Sequence, residues 1–369
     1  MTLPSSPSAD GNPTTPVRVD AVGRTDVGRT REHNEDSFLV ADLTAGSALP
    51  EGEEVDEYPV GERGLLCLVA DGMGGAAAGE IASDLAVQAV LETLLERWTP
   101  ADDASPQAFV HALRTAAEVA NARIHEMAQQ HLEYRGMGTT LTMAGLLGGT
   151  LYLAQVGDSR AYLVRGGHAR QITKDQSLMQ KLVEAGEITA EEAERSDRRN
   201  IILQALGPES TVAIDLTDQP VRRGDILVLC SDGLSSLVRP EEIARAVTEA
   251  HSLDAACRQL IDRANASGGP DNITVVAVRL SGTGLQDPSD ADAVGYHSFE
   301  EPATEEPQIP PSLAASLPTP DAGVPAVPTP PSEPRFAVVP RREGQKWVVA
   351  LGALAVVSAL AVIWQLLKR

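Results

Sequence analysis

The sequence predicts an α+β fold in which antiparallel sheets are covered by helices, and two patterns carry that expectation. Short apolar segments at 139–147, 150–156 and 160–165 follow one another across glycine turns, as hairpin strands do. Long helical patterns come in pairs set apart from the strands, 79–98 with 106–130 and 240–249 with 252–266. Hairpin-linked strands with segregated helix pairs describe sheets that carry helices on their faces.

The folded part runs from about 17 to 281. A stretch rich in Gly, Glu and Pro, 46–64, reads as an acidic surface loop between two strands. The apolar run LLCLVA (65–70) follows, then a long helix whose apolar stripe is Ile81, Leu85, Val90, Leu91, Leu94 and Leu95. Gly148-Gly149 and Gly157-Asp158 supply turns in the strand series. A helix begins near Asp175, and the charged stretch 186–199 breaks the apolar pattern and reads as an exposed flap. The run DILVLCS (225–231) is a buried strand, and the last strand is 272–280.

Both flanks differ in composition. Residues 1–16 are rich in Ser, Pro and Thr, with no basic or apolar leader pattern, and read as disordered without a signal peptide. The segment 282–346 holds 13 of the 25 prolines and few large apolar residues, which predicts a disordered, fairly stiff tether. Residues 347–367 carry no charge, and a helix of that length spans about 30 Å of hydrocarbon. Trp347 and Trp364 stand near its ends, where amphipathic rings favour the headgroup layer. The expectation is a single-pass anchor at the cell membrane with the folded domain facing the cytoplasm.

A net charge of −22 excludes a nucleic-acid partner, whose phosphates demand a basic footprint. Cys67, Cys230 and Cys257 are odd in number and lie in apolar segments, so no disulfide framework is expected.

Four acidic turns recur: VADGMGG (69–75), VGDSR (156–160), CSDGLS (230–235) and GGPDNIT (268–274). Each alone is an ordinary Asp-containing turn. Together they place Asp71, Asp158 and Asp232 just after strands and Asp271 just before one. Carboxylates that share one rim repel each other unless cations neutralise them. Oxygen ligands without a Cys/His cluster select hard ions such as Mg²⁺ or Mn²⁺. The block VGRTREHNEDSF (27–38) adds Arg31, whose planar fork matches phosphate, and the carboxylates Glu35 and Asp36.

This ordered set resembles the metal-dependent protein phosphatases of type 2C, in particular bacterial members. The matching pieces are RxHNEDS at 31–37, ADGMGG at 70–75, GMGTTL at 136–141, GDSR at 157–160, ITKD at 172–175, CSDGL at 230–234 and GGPDNIT at 268–274. The resemblance implies an α/β/β/α sandwich, two packed antiparallel sheets flanked by helix pairs, with metals in a cleft at one edge. By the same resemblance Asp71 bridges two ions, the Gly72 carbonyl binds one of them, and Asp232 and Asp271 complete the other. Asp158 with Asp232 would hold a third, weaker ion, Glu35 and Asp36 would act through water, and Arg31 would grip the phosphate.

Direct hydrolysis of phosphoserine and phosphothreonine by a metal-activated water, without a covalent enzyme intermediate, is the expected chemistry. Substrates would be phosphorylated proteins, including a membrane Ser/Thr protein kinase. Met73 stands where eukaryotic members carry a candidate acid histidine, so no side-chain acid is assigned, and His33 reads as a solvated loop residue. Asn200 falls where relatives place a polar residue near the third ion. Two readings on the same fold stay open, a non-catalytic phosphoprotein-binding regulator and a phosphatase for a partner-switching regulator. The first would have lost metal ligands, and the second usually carries sensor domains. Cys257 and Arg263 have a Cys-x₅-Arg spacing, but on a helical, glycine-free run that cannot wrap an anion. Asp290-Ala291-Asp292 lies in the tether with no strand before it.

Overall fold

A computed structural model describes residues 17–299 apart from 75–77, 197, 199 and 290. Two antiparallel sheets pack face to face. The first is built from β1 (Arg18–Asp26), β4 (Val55–Pro59), β9 (Arg160–Arg165), β10 (His168–Gln171), β12 (Ile226–Cys230) and β13 (Ile273–Ser281), in the order β10-β9-β12-β13-β1-β4. The second contains β2 (Asp36–Asp42), β3 (Ser47–Ala48), β5 (Leu65–Met73), β7 (Leu141–Leu147), β8 (Thr150–Val156) and β11 (Asp215–Pro220), in the order β11-β8-β7-β5-β2-β3. A short β6 (Gly138–Thr139) pairs with the end of β5.

Helices α1 (Ala78–Arg97) and α2 (Pro106–Gln130) cover the second sheet, and α6 (Pro240–Glu249) and α7 (Leu253–Ala266) cover the first. Three shorter helices lie in the connections, α3 (Leu178–Glu184), α4 (Ala190–Glu194) and α5 (Asp232–Ser235). Local chemistry starts α2 where expected and starts α4 inside the stretch read as a flap. Ser105 accepts from Ala108 N–H with Pro106 behind it, and Thr189 and Glu192 form a reciprocal capping box.

Strict alternation divides the strand side chains between layers. Along β5, Leu66, Leu68 and Ala70 face α1 and α2, while Leu65, Cys67 and Val69 enter the core between the sheets. The same inner face is continued by Val40 of β2, Leu227 and Leu229 of β12, and Val276, Val278 and Leu280 of β13. All three cysteines are buried and free, and burial pushes each thiol up to about 12.

Several expectations need correction. Gly157-Asp158 is not a hairpin turn, because β8 belongs to the second sheet and β9 to the first. The chain crosses between sheets there, and both strands look alike in sequence because both are buried. The 46–64 loop is not merely a loop, since it delivers β3 to one sheet and β4 to the other. The buried stripe of α1 is Ala78, Gly79, Ala82, Ser83, Ala86, Ala89, Val90, Thr93 and Leu94, whereas Ile81, Leu85, Leu91 and Leu95 are only partly buried. Small side chains let α1 lie close to β5 and α2, and the larger ones flank that contact. The helix expected near Asp175 starts at Leu178, after the Ser177 cap.

The 281/282 boundary also shifts. Leu285 is 3% exposed in the core between the sheets, and Phe299 stacks edge-on to Tyr152 at 6.0 Å between ring centroids. Leu285, Asp292 and residues 295–299 therefore lie against the domain rather than in a tether. Among the described residues no helix is long and apolar enough to cross a membrane; 347–367 and the tether after 299 lie outside them.

Close packing of α2 on the second sheet yields a test. A Cβ on Gly145 of β7 would fall 2.4 Å from Phe109 Cζ of α2. Gly145→Ala is expected to destabilise the fold by about 1–3 kcal/mol through overpacking, read from the urea midpoint at unchanged m-value.

Candidate metal centre

The inner-face alternation that builds the core also builds the site. One step beyond the last apolar residues, β2, β5, β12 and β13 present Asp36, Asp71, Ser231 and Thr274 at one end of the sandwich. Asp36 and Asp71 are direct cross-strand partners in the β2–β5 pairing, so both carboxylates point to the same face. Asp71 thus sits inside β5 rather than after it, because the strand continues to Met73 by pairing with β6.

Neutral donors hold this layer. Asp36 Oδ2 accepts from Ser231 Oγ and Thr274 Oγ1, each at 2.7 Å, while its buried Oδ1 has no hydrogen-bond partner. Asp71 N–H donates to Thr140 Oγ1 at 3.0 Å, and its carbonyl accepts from Thr140 N–H and Thr139 Oγ1, both at 2.9 Å. Gly72 N–H donates to the Glu35 carbonyl at 3.0 Å. A Cβ on Gly72 would lie 2.2 Å from the Gly79 carbonyl oxygen, so this approach requires glycine.

Asp232 opens the short helix α5 directly after β12 and Ser231. Asp158 stands at the crossing from β8 to β9. Asp271 precedes β13; its Oδ2 accepts from Arg31 Nη2 at 2.8 Å and its Oδ1 from Asn272 N–H at 2.9 Å. Arg31 also lies 3.8 Å from Glu35 and keeps 46% of its side chain exposed. Asn272 ties the N-terminal loop to this end. Its Oδ1 accepts from Glu35 N–H at 2.8 Å, and its Nδ2 donates to the Val27 and His33 carbonyls at 3.0 and 2.9 Å. His33 is exposed, as expected.

Crowding of like charge shows in the acidities. Burial, then Asp36, Asp232, Asp158 and Asp271, hold Asp71 well above the ordinary carboxylate value. Burial first, then Asp271, pushes Asp232 up to about 6; burial first, then Asp232, pushes Asp158 up to about 7. Burial also raises Asp36 to about 7, against the pull of Thr274 and Ser231. Burial raises Glu35. Such a set takes up either protons or cations. Among the described residues no three acidic, His or Cys side chains already surround one point. Asp271 is turned toward Arg31, and the carboxylates form an end-wall rather than a closed cage. The all-oxygen donors, the partnerless Asp36 Oδ1 and the weakened acidities fit hard divalent ions.

A family model for protein phosphatase 2C matches residues 56–266. The chain belongs to that family of protein serine/threonine phosphatases. A serine/threonine phosphatase, stp, of Listeria innocua is 38% identical over 255 residues, covering 69% of this chain and 93% of that one. The crystal structure of the serine/threonine phosphatase PstP/Ppp of Mycobacterium tuberculosis superposes with TM-score 0.60 at 36% identity, over 72% of this chain and 99% of that one. A PstP catalytic domain in complex with two manganese ions gives TM-score 0.58 at 35% identity, with the same shares of the two chains.

Beside the carboxylates of this phosphatase lies a cavity of about 740 Å³. Asp158 and Asp232 form one wall, Asn200 and residues of α3 and α4 another, and 235–241 a third. At its base Arg160 makes a bidentate contact to Asp175, with Nη2 2.6 Å from Oδ2. The structure brings Asp36, Asp71, Asp158, Asp232 and Asp271 to one end of the sandwich, with Glu35 and Arg31 at its rim. Sequence reasoning gave no role to Asn272, Ser231, Thr274, Thr140 or the Arg160–Asp175 pair. The signal for Ser231 and Thr274 was available, since both continue an inner-face alternation. The decoys are inert: Cys257 is buried in α7, Arg263 pairs with Glu242 at 2.9 Å, and Asp292 pairs with Arg222 at 2.5 Å.

The weakened acidities set a pH dependence. A carboxyl whose acidity is weakened by folding stabilises the fold below its unfolded value, here 3.8, and that contribution is lost as pH rises through the folded values of about 6 to 7. The metal-free protein should melt at a higher temperature near pH 5.5 than near pH 8, and saturating Mn²⁺ should abolish the difference in a thermal-shift assay.

Proposed function

We propose that this phosphatase hydrolyses phosphoserine and phosphothreonine esters of proteins directly, with Mn²⁺ or Mg²⁺ held by the end-wall of carboxylates. The observation that carries this reading is the gathering of Asp36, Asp71, Asp158 and Asp232, buried or half-buried, with every acidity weakened and with Arg31 and Arg160 the only cations opposing that shift among the described residues named around them. Two bound divalent ions would supply an activated water and neutralise the phosphate oxygens.

The protein's own groups divide the work. Asp71 would bridge the two ions, with the Gly72 carbonyl on one side and Asp232 and Asp271 on the other. Asp158, sharing the cavity wall with Asp232, would hold a third, weaker ion. Glu35 and Asp36 would orient ordered water, and the free Oδ1 of Asp36 is an acceptor suited to that. Arg31, half exposed and anchored on Asp271, presents its remaining N–H groups to a phosphate. Ser231, Thr274 and Asn272 would fix these groups without touching the substrate. The cavity beside Asp232 would receive the peptide around the phosphorylated residue.

We also propose that residues 347–367 anchor the chain in the cell membrane with the catalytic domain in the cytoplasm. Support comes from the charge-free run of spanning length and the Trp residues near its ends. Phosphorylated proteins at that surface, including a Ser/Thr protein kinase, are then the substrates within reach.

Asp232→Ala should abolish Mn²⁺-dependent phosphate release from a phosphothreonine peptide while raising the metal-free melting temperature by roughly 2–4 °C through relieved repulsion. No phosphorylated enzyme should be trapped in rapid quench, and detection of one would sink direct hydrolysis. The full chain should sediment with membranes after cell lysis, and a chain ending at 299 should stay in the supernatant.

A further inference from the structure

The chain does not leave the domain at the end of β13. Arg223 Nη2 donates to the Leu285 carbonyl at 2.9 Å, and Asp292 is held by Arg222. Gly295 N–H then donates to Gln219 Oε1 at 3.1 Å, Asp218 N–H to the His297 carbonyl at 3.2 Å, and Phe299 N–H to the Leu216 carbonyl at 2.8 Å. Residues 295–299 therefore run antiparallel to β11, bridged at Thr217–Ser298, and cover the outer edge of the second sheet.

Within this tail Tyr296 meets two partners. Its hydroxyl donates to Asp215 Oδ1 at 2.9 Å, and the Lys174 ammonium lies 4.4 Å from its ring centroid. The same ammonium pairs with Glu184 at 3.2 Å. Glu184 ends α3, the helix that carries Met179, Gln180 and Val183 into the cavity beside Asp158 and Asp232, and the flap begins directly after it. Lys174 also precedes Asp175, which grips Arg160 at the base of that cavity. One cation thus joins the tail, the root of the flap and the cavity floor.

We propose that Tyr296 is a positioning residue for substrate binding: its ring holds Lys174 on Glu184 and so sets α3, one wall of the cavity that receives the phosphorylated peptide. The inference rests on the phosphatase reading and deepens it by naming a determinant of peptide affinity outside the metal centre. Lys174 and Glu184 are 42% and 44% exposed, and an ion pair so open to water fixes little by itself. An aromatic face adds an orienting attraction that water screens less, and it gives the ammonium one preferred place. Asp215 and the backbone pairing to β11 in turn hold the ring.

The test uses the full chain with Mn²⁺ and two substrates, a phosphothreonine peptide that fills the cavity and p-nitrophenyl phosphate, which is too small to reach α3. Tyr296→Ala is expected to raise the peptide KM about 2–5-fold, the equivalent of one cation–π contact. Peptide kcat and the hydrolysis of the small ester should stay at wild-type values. Tyr296→Phe keeps the ring and should restore the peptide KM. Lys174→Met, at an exposed position, should match Tyr296→Ala, and the double variant should be no worse than either single one. An unchanged peptide KM, equal losses on both substrates, or additive effects in the double variant would overturn the positioning role. Wild-type protein inert toward both substrates would instead overturn the phosphatase reading on which it rests.

Discussion

Asp36 and Asp71 face each other across the β2–β5 pairing, on the same side of the sheet and at the end of a hydrophobic core. Like charges directly opposite on neighbouring strands destabilise a sheet, and burial makes their ionisation harder still. The fold accepts this because it surrounds the pair with neutral donors and fixed backbone. Ser231 and Thr274 bind one oxygen of Asp36, and Thr139 and Thr140 secure the backbone of Asp71. The carboxylates are thereby held in place without being neutralised. What remains is a demand for positive charge at a defined location, which divalent ions would meet.

That demand could not be assembled from one sheet. Asp36 and Asp71 come from the second sheet, Asp232 from the helix that follows β12, Asp271 from the loop before β13, and Asp158 from the crossing between the sheets. Face-to-face packing aligns the inner faces, so the polar residues that follow the last apolar positions meet at the same end. Asn272 then closes the arrangement by pinning the 27–35 loop, which carries Arg31 and Glu35, onto the start of β13. Local instability at such an end-wall is what a metal site requires, since a set of carboxylates already satisfied by protein cations would bind ions weakly.

The tail after β13 belongs to the same economy of edges. β11 is the outer strand of the second sheet, and an unpaired edge invites association with other chains. Residues 295–299 occupy it in cis, and Leu285 and Phe299 add apolar contacts. Because Tyr296 also meets Lys174, the covered edge and the wall of the substrate cavity share one contact.

The amino-acid sequence by itself determined the long helix pairs, the main buried strands and the identity of the acidic turns, because periodicity, capping residues and Asp-Gly turns are local properties of the chain. Asp71, Asp158, Asp232 and Asp271 were legible in this way, and the ordered motifs gave the family. Only the tertiary structure decided that β8 and β9 lie in different sheets, since two buried strands read alike whichever sheet they join. Only it showed that the small-residue face of α1 is the buried one, because burial depends on how closely a neighbour approaches. The roles of Asn272, Ser231 and Thr274, and the docking of Leu285 and 295–299, were likewise decided there. Each depends on hydrogen bonds or contacts between residues far apart in the chain, and such proximity has no signature in local sequence.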